Sequence, residues 1–325
     1  MSGPVQAAPP AVVLVGGEGT RLRPLTERLP KPMLPLLGRP LLAYVFDALA
    51  AGGVTRAILS CGYLPVEIEA YFGDRYRGLA LEYRVEPKPL GTGGAIRFAA
   101  AGLDRTFVAL NGDTLREASL TGLLEAHRSM NAEATILLVK VRDPSRYGLV
   151  RVDGRGRVRG FIEKPQPWEV DTDLVNAGLY VLEPDVLDLI DPDRPVSIER
   201  DVFPVLAERG TLHGVDLPAY WLDVGTPESY LQAHHDLLVK RGLLEVAADA
   251  DISPQADLIG PLVVAEGVVI EAGARVGPYA YLAPGARIEA EARVERAVVL
   301  PHGVVEAGRC VRSAIVSTEA VVAPA

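Results

Sequence analysis

The stretch Gly16-Gly17-Glu18-Gly19-Thr20-Arg21-Leu22-Arg23-Pro24-Leu25-Thr26, closed by Pro30-Lys31-Pro32, decides how the first part of this chain is read. It follows the apolar run Ala11–Val15, which predicts a buried first strand. A Gly-rich turn after a strand lets backbone N–H groups approach phosphate oxygens with no Cβ in the way. Arg21, Arg23 and Lys31 add positive charge within one loop, so the stretch predicts a polyphosphate site. Spacing excludes two commoner loops. The dinucleotide fingerprint needs a third glycine where Leu22 stands, and the P-loop needs a Gly-Lys pair that the chain lacks.

Outward from this loop, strand-like runs recur at Ala57–Cys61, Leu81–Val85, Phe107–Leu110 and Ile136–Val141. Helical patterns lie between the early ones, at Pro40–Ala51, Val66–Phe72 and Gly93–Ala101. Strands separated in this way predict parallel βαβ units and an α/β fold with a doubly wound, mostly parallel sheet. Ligands of such sheets bind beyond the carboxyl ends of the strands, where the glycine loop and Asn111-Gly112-Asp113 both fall. After residue 140 the pattern loosens into shorter strands, with turns at Asp153-Gly154 and Arg155-Gly156.

A second domain announces itself by a repeat. Ile252, Leu258, Val264, Ile270, Val276, Leu282, Ile288, Val294 and Leu300 stand six apart, with small or apolar residues two positions earlier, from Ala250 to Val298. Gly267, Gly273, Gly285 and Gly303 follow three positions later, where a coil must turn. A strict hexad predicts a parallel β-helix. Val305 and Val311 take up the spacing five residues after Leu300, which predicts a bulge or an atypical last coil.

Composition fits an enzyme with a sizeable core: 325 residues, 49% of them apolar. Cys61 and Cys310 lie in different predicted domains, which argues against a disulfide framework. No apolar run reaches membrane-span length, and the first ten residues lack a signal-peptide pattern and read as a loose tail. A cytoplasmic protein that is not membrane-bound is expected. A net charge of −9 argues against nonspecific nucleic-acid binding, so anionic ligands must be held by local cations and metal. His234-His235 lacks a Glu or Cys partner at metal-ligand spacing and is expected on a solvated helix face.

Residues 11–40 resemble the signature of sugar-1-phosphate nucleotidylyltransferases: Gly-Gly-x-Gly-Thr-Arg-Leu, Pro-Leu-Thr, then Pro-Lys-Pro. Further matches follow in order at Pro89-Leu90-Gly91-Thr92, Asn111-Gly112-Asp113, Tyr147-Gly148, Phe161-Ile162-Glu163-Lys164-Pro165, Asn176-Ala177-Gly178 and Tyr220-Trp221-Leu222-Asp223-Val224-Gly225-Thr226. The branch most resembled is the mannose-1-phosphate guanylyltransferases. The resemblance implies a Rossmann-like catalytic domain over residues 11–240. The repeat resembles hexapeptide-repeat proteins, which implies a left-handed parallel β-helix over residues 246–325.

The implied reaction joins a nucleoside triphosphate to a sugar 1-phosphate and releases pyrophosphate, most closely GTP with mannose 1-phosphate. Glucose-1-phosphate thymidylyl or uridylyl transfer and heptose-1-phosphate guanylyl transfer are the alternatives. A noncatalytic regulatory paralogue and a β-helix acyltransferase using His302 rank lower. A sugar 1-phosphate is already ionised at neutral pH, so catalysis is alignment and charge neutralisation, aided by Mg²⁺. The resemblance places Asp113 and Asp223 on the metal, Arg21 and Lys31 on the triphosphate, and Lys164 on the sugar phosphate. Gly16, Gly17, Gly19, Thr20, Gly91 and Thr92 would form the nucleotide loops, and Gly148, Glu163 and Asn176 the sugar subsite. Glu86 falls where the base is read. A carboxylate accepts both N1–H and N2–H₂ of guanine, which favours GTP. Gly93-Gly94 and Glu18 depart from the guanylyltransferase pattern. The β-helix or the catalytic domain is expected to build a homo-oligomer.

Overall fold

The computed structural model describes residues 9–27, 29–62, 64–242 and 244–324. The tail expected over the first ten residues lies outside this range up to residue 8. The chain groups into two compact units. One holds the chain up to Glu18 together with Leu41–Trp221, and the other holds Gly19–Pro40 together with the chain from Leu222 on.

The first unit is built on a ten-stranded mixed sheet. Its centre is parallel: β3 (Leu79–Val85), β2 (Arg56–Cys61), β1 (Ala11–Leu14) and β4 (Phe107–Asn111) lie side by side in the order 3-2-1-4. Helices α1 (Leu41–Ala51), α2 (Pro65–Phe72) and α3 (Gly91–Ala99) occupy the crossovers, as the sequence pattern requires. Beyond β4 the pairing turns antiparallel. Helix α4 (Leu120–Met130) leads to β5 (Ala134–Lys140), and then β6 (Gly148–Val152), β7 (Val158–Glu163) and the long β8 (Leu174–Leu182) follow. A π-helical turn at Ile198–Val202 runs into α5 (Phe203–Arg209), and β9 (Leu212–Asp216) adds a further parallel strand beside β5. The sheet is therefore parallel at its centre, as the βαβ pattern predicts, and antiparallel towards β6–β8, beyond residue 140, where the sequence pattern loosens into shorter strands.

Strand β8 positions much of the site. It pairs with β5 along its length, while its other edge meets β6 at Val175 and β4 from Leu179 onward. The register shifts between Asn176 and Tyr180, so Asn176-Ala177-Gly178 is a bulge at the point where β8 changes neighbour. Gly178 is left-handed there (φ 64°), and a Cβ would lie 2.5 Å from Asn111 Nδ2. Only glycine fits.

The second unit contains helix α6 (Pro227–Arg241) and three stacks of short parallel strands that form a β-helix. Val264, Ile270, Val276, Leu282, Ile288 and Val294 are buried in its interior, as the hexad predicts. The slip comes one hexad step earlier than the sequence suggests, after Val294 rather than after Leu300. Tyr281 pairs with Val298, seventeen positions on, whereas Val263 pairs with Tyr281, eighteen on. Val299, not Leu300, joins the interior stack, and Ala297, not Val298, stands two positions before it. The turn after Val294 is one residue shorter than the turn after Val276, and Leu300 is pushed into the following turn. In consequence His302 (φ 59°), not Gly303, takes the left-handed corner above Gly285. The side chain of His302 is exposed at this corner.

The outward row of one β-helix sheet, Val263, Tyr281, Val298 and Ile315, is itself buried. His234 of α6 stacks on Tyr281 with ring centroids 5.3 Å apart. The His234 ring is 2% exposed, contrary to the solvated position expected from sequence. Its Nε2 faces the Pro35 carbonyl at 3.1 Å, and burial pushes its pKa down to about 3. The apolar row has no hexad signature of its own, which is why the sequence concealed the docking of α6. Cys61 and Cys310 are both free, the first buried and the second exposed. No helix among the described residues is long and apolar enough to cross a membrane.

Candidate active site

The carboxyl ends of β1, β2, β3 and β4 surround a cavity of about 560 Å³ at the point where strand order reverses, between β1 and β4. Gly16, Gly17 and Glu18 follow β1, Glu86 follows β3, and Asn111 and Asp113 close β4. Gly91 and Thr92, at the start of α3, line the same space. Six residues assigned to nucleotide or metal from sequence therefore share one cavity: Gly16, Gly17, Glu86, Gly91, Thr92 and Asp113. Glu18 is exposed on its wall.

Glu86 is held rather than free. Ser60 Oγ donates to its Oε1 at 2.9 Å, and the Leu90 amide donates to Oε2 at 3.3 Å. Each carboxylate oxygen keeps a further lone pair, so the fixed group remains a double acceptor. The amides of Gly93 and Gly94 both donate to the Val196 carbonyl, so these first-turn donors of α3 are already satisfied. Arg116 is buried, and its Nη2 donates to the Asn111 carbonyl at 3.0 Å, bracing the turn that carries Asp113. Burial lowers its pKa to about 10, against the opposing charge of Asp113.

The predicted sugar residues lie on β6–β8. Gly148 is paired with Glu163, and a Cβ at Gly148 would lie 2.7 Å from Glu163 Oε2. The glycine lets the carboxylate lie across the strand. Burial raises the Glu163 pKa and the Glu199 charge adds to it, while Arg200 and Lys164 oppose. Lys164 follows in a left-handed conformation with its side chain exposed. Asn176 Oδ1 accepts from the Gly178 amide at 2.9 Å, and its Nδ2 donates to Tyr180 at 2.8 Å, leaving one N–H unassigned.

The remaining predicted residues lie in the second unit, which the chain enters between Glu18 and Gly19. Gly19 and Thr20 open a short 3₁₀ turn that carries Arg21, and the Thr26 hydroxyl ties the loop back to the Gly19 carbonyl at 2.8 Å. Lys31 is 6% exposed, and its Nζ lies 3.2 Å from Asp223 Oδ1. A Cβ at Gly225 would lie 2.8 Å from Arg21 Nη2 and 3.0 Å from Asp223 Oδ2, so Arg21, Lys31 and Asp223 form one charged cluster. Sequence reasoning missed Ser60, Tyr180 and Glu199. A serine just before the end of an otherwise apolar strand was the one available signal, since the other two act through contacts distant in sequence.

A Rossmann-like sheet with a glycine loop and a carboxylate at its strand ends defines a nucleotide-binding α/β domain. The profile of the Nucleotidyl transferase family matches residues 10–240. The chain is 44% identical over 300 residues to the mannose-1-phosphate guanylyltransferase of Mycobacterium tuberculosis (strain ATCC 25618 / H37Rv), covering 88% of this chain and 83% of that protein. It is 35% identical over 316 residues to the probable mannose-1-phosphate guanylyltransferase 1 of Oryza sativa subsp. japonica, covering 94% and 85%. Among solved structures, HddC from Yersinia pseudotuberculosis superposes with a TM-score of 0.60 at 32% identity, covering 69% of this chain and 97% of that one. The chain belongs to the nucleotidyl transferase family.

Proposed function

We propose that this protein transfers a guanylyl group from GTP to mannose 1-phosphate, giving GDP-mannose and pyrophosphate. The observation that carries this reading is the 44% identity, over 88% of the chain, to a protein named for that activity. The fixed Glu86 carboxylate supports it, because guanine offers two adjacent donors to such a group where thymine and uracil offer one.

In this reading a phosphate oxygen of the sugar attacks the α-phosphorus of GTP in line, and the bond to the β-phosphate breaks as pyrophosphate leaves. No general base is needed, since the attacking phosphate is already ionised. Arg21 and Lys31 offset the charge that gathers on the departing phosphates, and Lys164 holds the phosphate of the sugar. Gly19 and Thr20 belong to the nucleotide loop with Gly16, Gly17, Gly91 and Thr92. Glu163 and Asn176 accept from and donate to sugar hydroxyls beside Gly148.

We assign Asp113 and Asp223 to Mg²⁺, which when bound lowers the repulsion between the two phosphates. Among the described residues no group of three or more His, Cys, Asp or Glu side chains is gathered to hold a metal ion. Mg²⁺ takes one or two carboxylates and completes its shell with water and substrate phosphate, so two aspartates suffice to hold it. We take residues 11–240 as the catalytic domain and 246–325 as a β-helix domain, one or other of which associates with a second copy.

The test is pyrophosphate release with Mg²⁺, crossing GTP, dTTP, UTP, CTP and ATP with mannose 1-phosphate, glucose 1-phosphate and a manno-heptose 1-phosphate. Turnover confined to GTP with mannose 1-phosphate is expected, and chelation with EDTA abolishes it. Preference for dTTP or UTP with glucose 1-phosphate overturns the base assignment.

A further inference from the structure

The π-helical turn at Ile198–Val202 carries Glu199 to a point between two motifs that lie far apart in sequence. Thr92 Oγ1 donates to Glu199 Oε2 at 2.6 Å and accepts from the Ile198 amide at 3.0 Å. Ser197 Oγ donates to the same Oε2 at 2.7 Å. The Tyr180 hydroxyl donates to Glu199 Oε1 at 3.3 Å and accepts from Asn176 Nδ2 at 2.8 Å. Thr92 lines the cavity at the strand ends, Asn176 sits in the β8 bulge, and Glu199 is not among the residues lining that cavity.

We propose that Glu199 is a positioning residue that couples the nucleotide loop to the sugar subsite. One carboxylate oxygen orders Thr92, and the other orders Asn176 through Tyr180. The proposal rests on the reading of Thr92 as a nucleotide-loop residue and Asn176 as a sugar-subsite residue. A carboxylate only accepts, so three hydroxyl donors around it fix the direction of every hydrogen in the chain. Bonds to an ionised acceptor are also stronger than neutral ones, and such networks exceed the sum of their pairs. A change at Thr92 therefore reaches Asn176 without a direct contact. The Glu199 charge also acts on Glu163, the second sugar-subsite residue. Irregular turns of this kind often mark functional segments, and here the turn supplies both the carboxylate and the Ile198 amide.

The test is steady-state kinetics of Thr92→Val, Glu199→Ala, Glu199→Gln and the Thr92→Val/Glu199→Ala double variant. It uses whichever nucleotide and sugar phosphate the wild type turns over fastest. A different preferred pair overturns the guanylyl reading but leaves this test intact. Thr92→Val is expected to raise the KM for the sugar 1-phosphate at least about fivefold, a cross-effect from the nucleotide loop. In the Glu199→Ala background the same substitution is expected to change that KM by less than about twofold. Glu199→Gln keeps acceptors for Thr92 and Ser197 but offers a donor to Tyr180. It should therefore raise the sugar-phosphate KM and leave the nucleotide KM near wild type. If Glu199→Ala does not fold, the Gln variant decides alone. A Thr92→Val effect confined to the nucleotide, an undiminished cross-effect without Glu199, or wild-type kinetics in Glu199→Gln would each overturn the proposal.

Discussion

Lys31 Nζ lies 3.2 Å from Asp223 Oδ1, an ion pair between residues 192 positions apart in the sequence. The lysine side chain is 7% exposed and the aspartate 26%, so water screens the pair only partly. Asp223→Asn leaves a buried ammonium without that anion. It is expected to cost about 2 kcal/mol in urea denaturation and to reduce pyrophosphate release at least about a hundredfold. Lys31→Met combined with Asp223→Asn should be less destabilised than the sum of the two single changes. Full additivity would show that the pair contributes nothing to the fold.

Glu86→Gln replaces an acceptor of two hydrogen bonds with a group that accepts through one oxygen only. In the proposed reading kcat/KM for GTP falls about ten- to a hundredfold, with little change in the KM of the sugar phosphate. Ser60→Ala, which frees Glu86 Oε1, should show a smaller loss with the same selectivity. Equal loss for both substrates would remove Glu86 from base recognition.

Gly148→Ala places a methyl group where Glu163 Oε2 now lies 2.7 Å from an ideal Cβ. The carboxylate must move, and the KM for the sugar phosphate is expected to rise at least about tenfold while the nucleotide KM holds. An unchanged sugar-phosphate KM would mean that the position of Glu163 does not matter to the sugar.

His234 is neutral in the fold, its pKa pushed down to about 3 by burial, and returns to the ordinary histidine range on unfolding. Between pH 6.5 and about 3 the unfolded chain binds the extra proton, so stability is fully present above pH 6.5 and falls as pH drops through this window. The expected slope is at most about 1.4 kcal/mol per pH unit. Urea midpoints at pH 7, 6 and 5 should fall less steeply in His234→Phe than in the wild type. Parallel profiles would assign the acid sensitivity to other groups.

Gly285 is left-handed (φ 69°), and its ideal Cβ lies 2.5 Å from His302 Nδ1. Gly285→Ala is expected to destabilise the protein by about 1–2 kcal/mol. Adding His302→Gly should recover the part due to the ring and leave the backbone part. No recovery in the double variant would place the whole cost in the backbone.

Much of the candidate site was legible because its residues sit in short ordered motifs. Gly16 to Thr26, Asn111-Gly112-Asp113 and the Glu86 loop each follow a strand that a short strand-like run made visible. The left-handed or close-approach roles of Gly148 and Gly178 were not legible, since each depends on the side chain of a residue on another strand, Glu163 or Asn111. Ser60, Tyr180 and Glu199 were missed for the same reason. Their work is to hold other side chains, and hydrogen-bond partners have no sequence period.

The sequence by itself determined the α/β sheet, the β-helix and the family, because short apolar runs alternating with helical patterns, a strict hexad and ordered motifs are each local features of the chain. Only the tertiary structure decided where that period breaks. Val299 replaces Leu300 because one turn is a residue short, and His302 replaces Gly303 at the corner above Gly285. The burial of His234 was likewise decided there, since it requires the outward row of Val263, Tyr281, Val298 and Ile315 to be covered. Local propensity acts over a few residues, whereas pairing register and the burial of polar groups are set by neighbours that the chain meets only once folded.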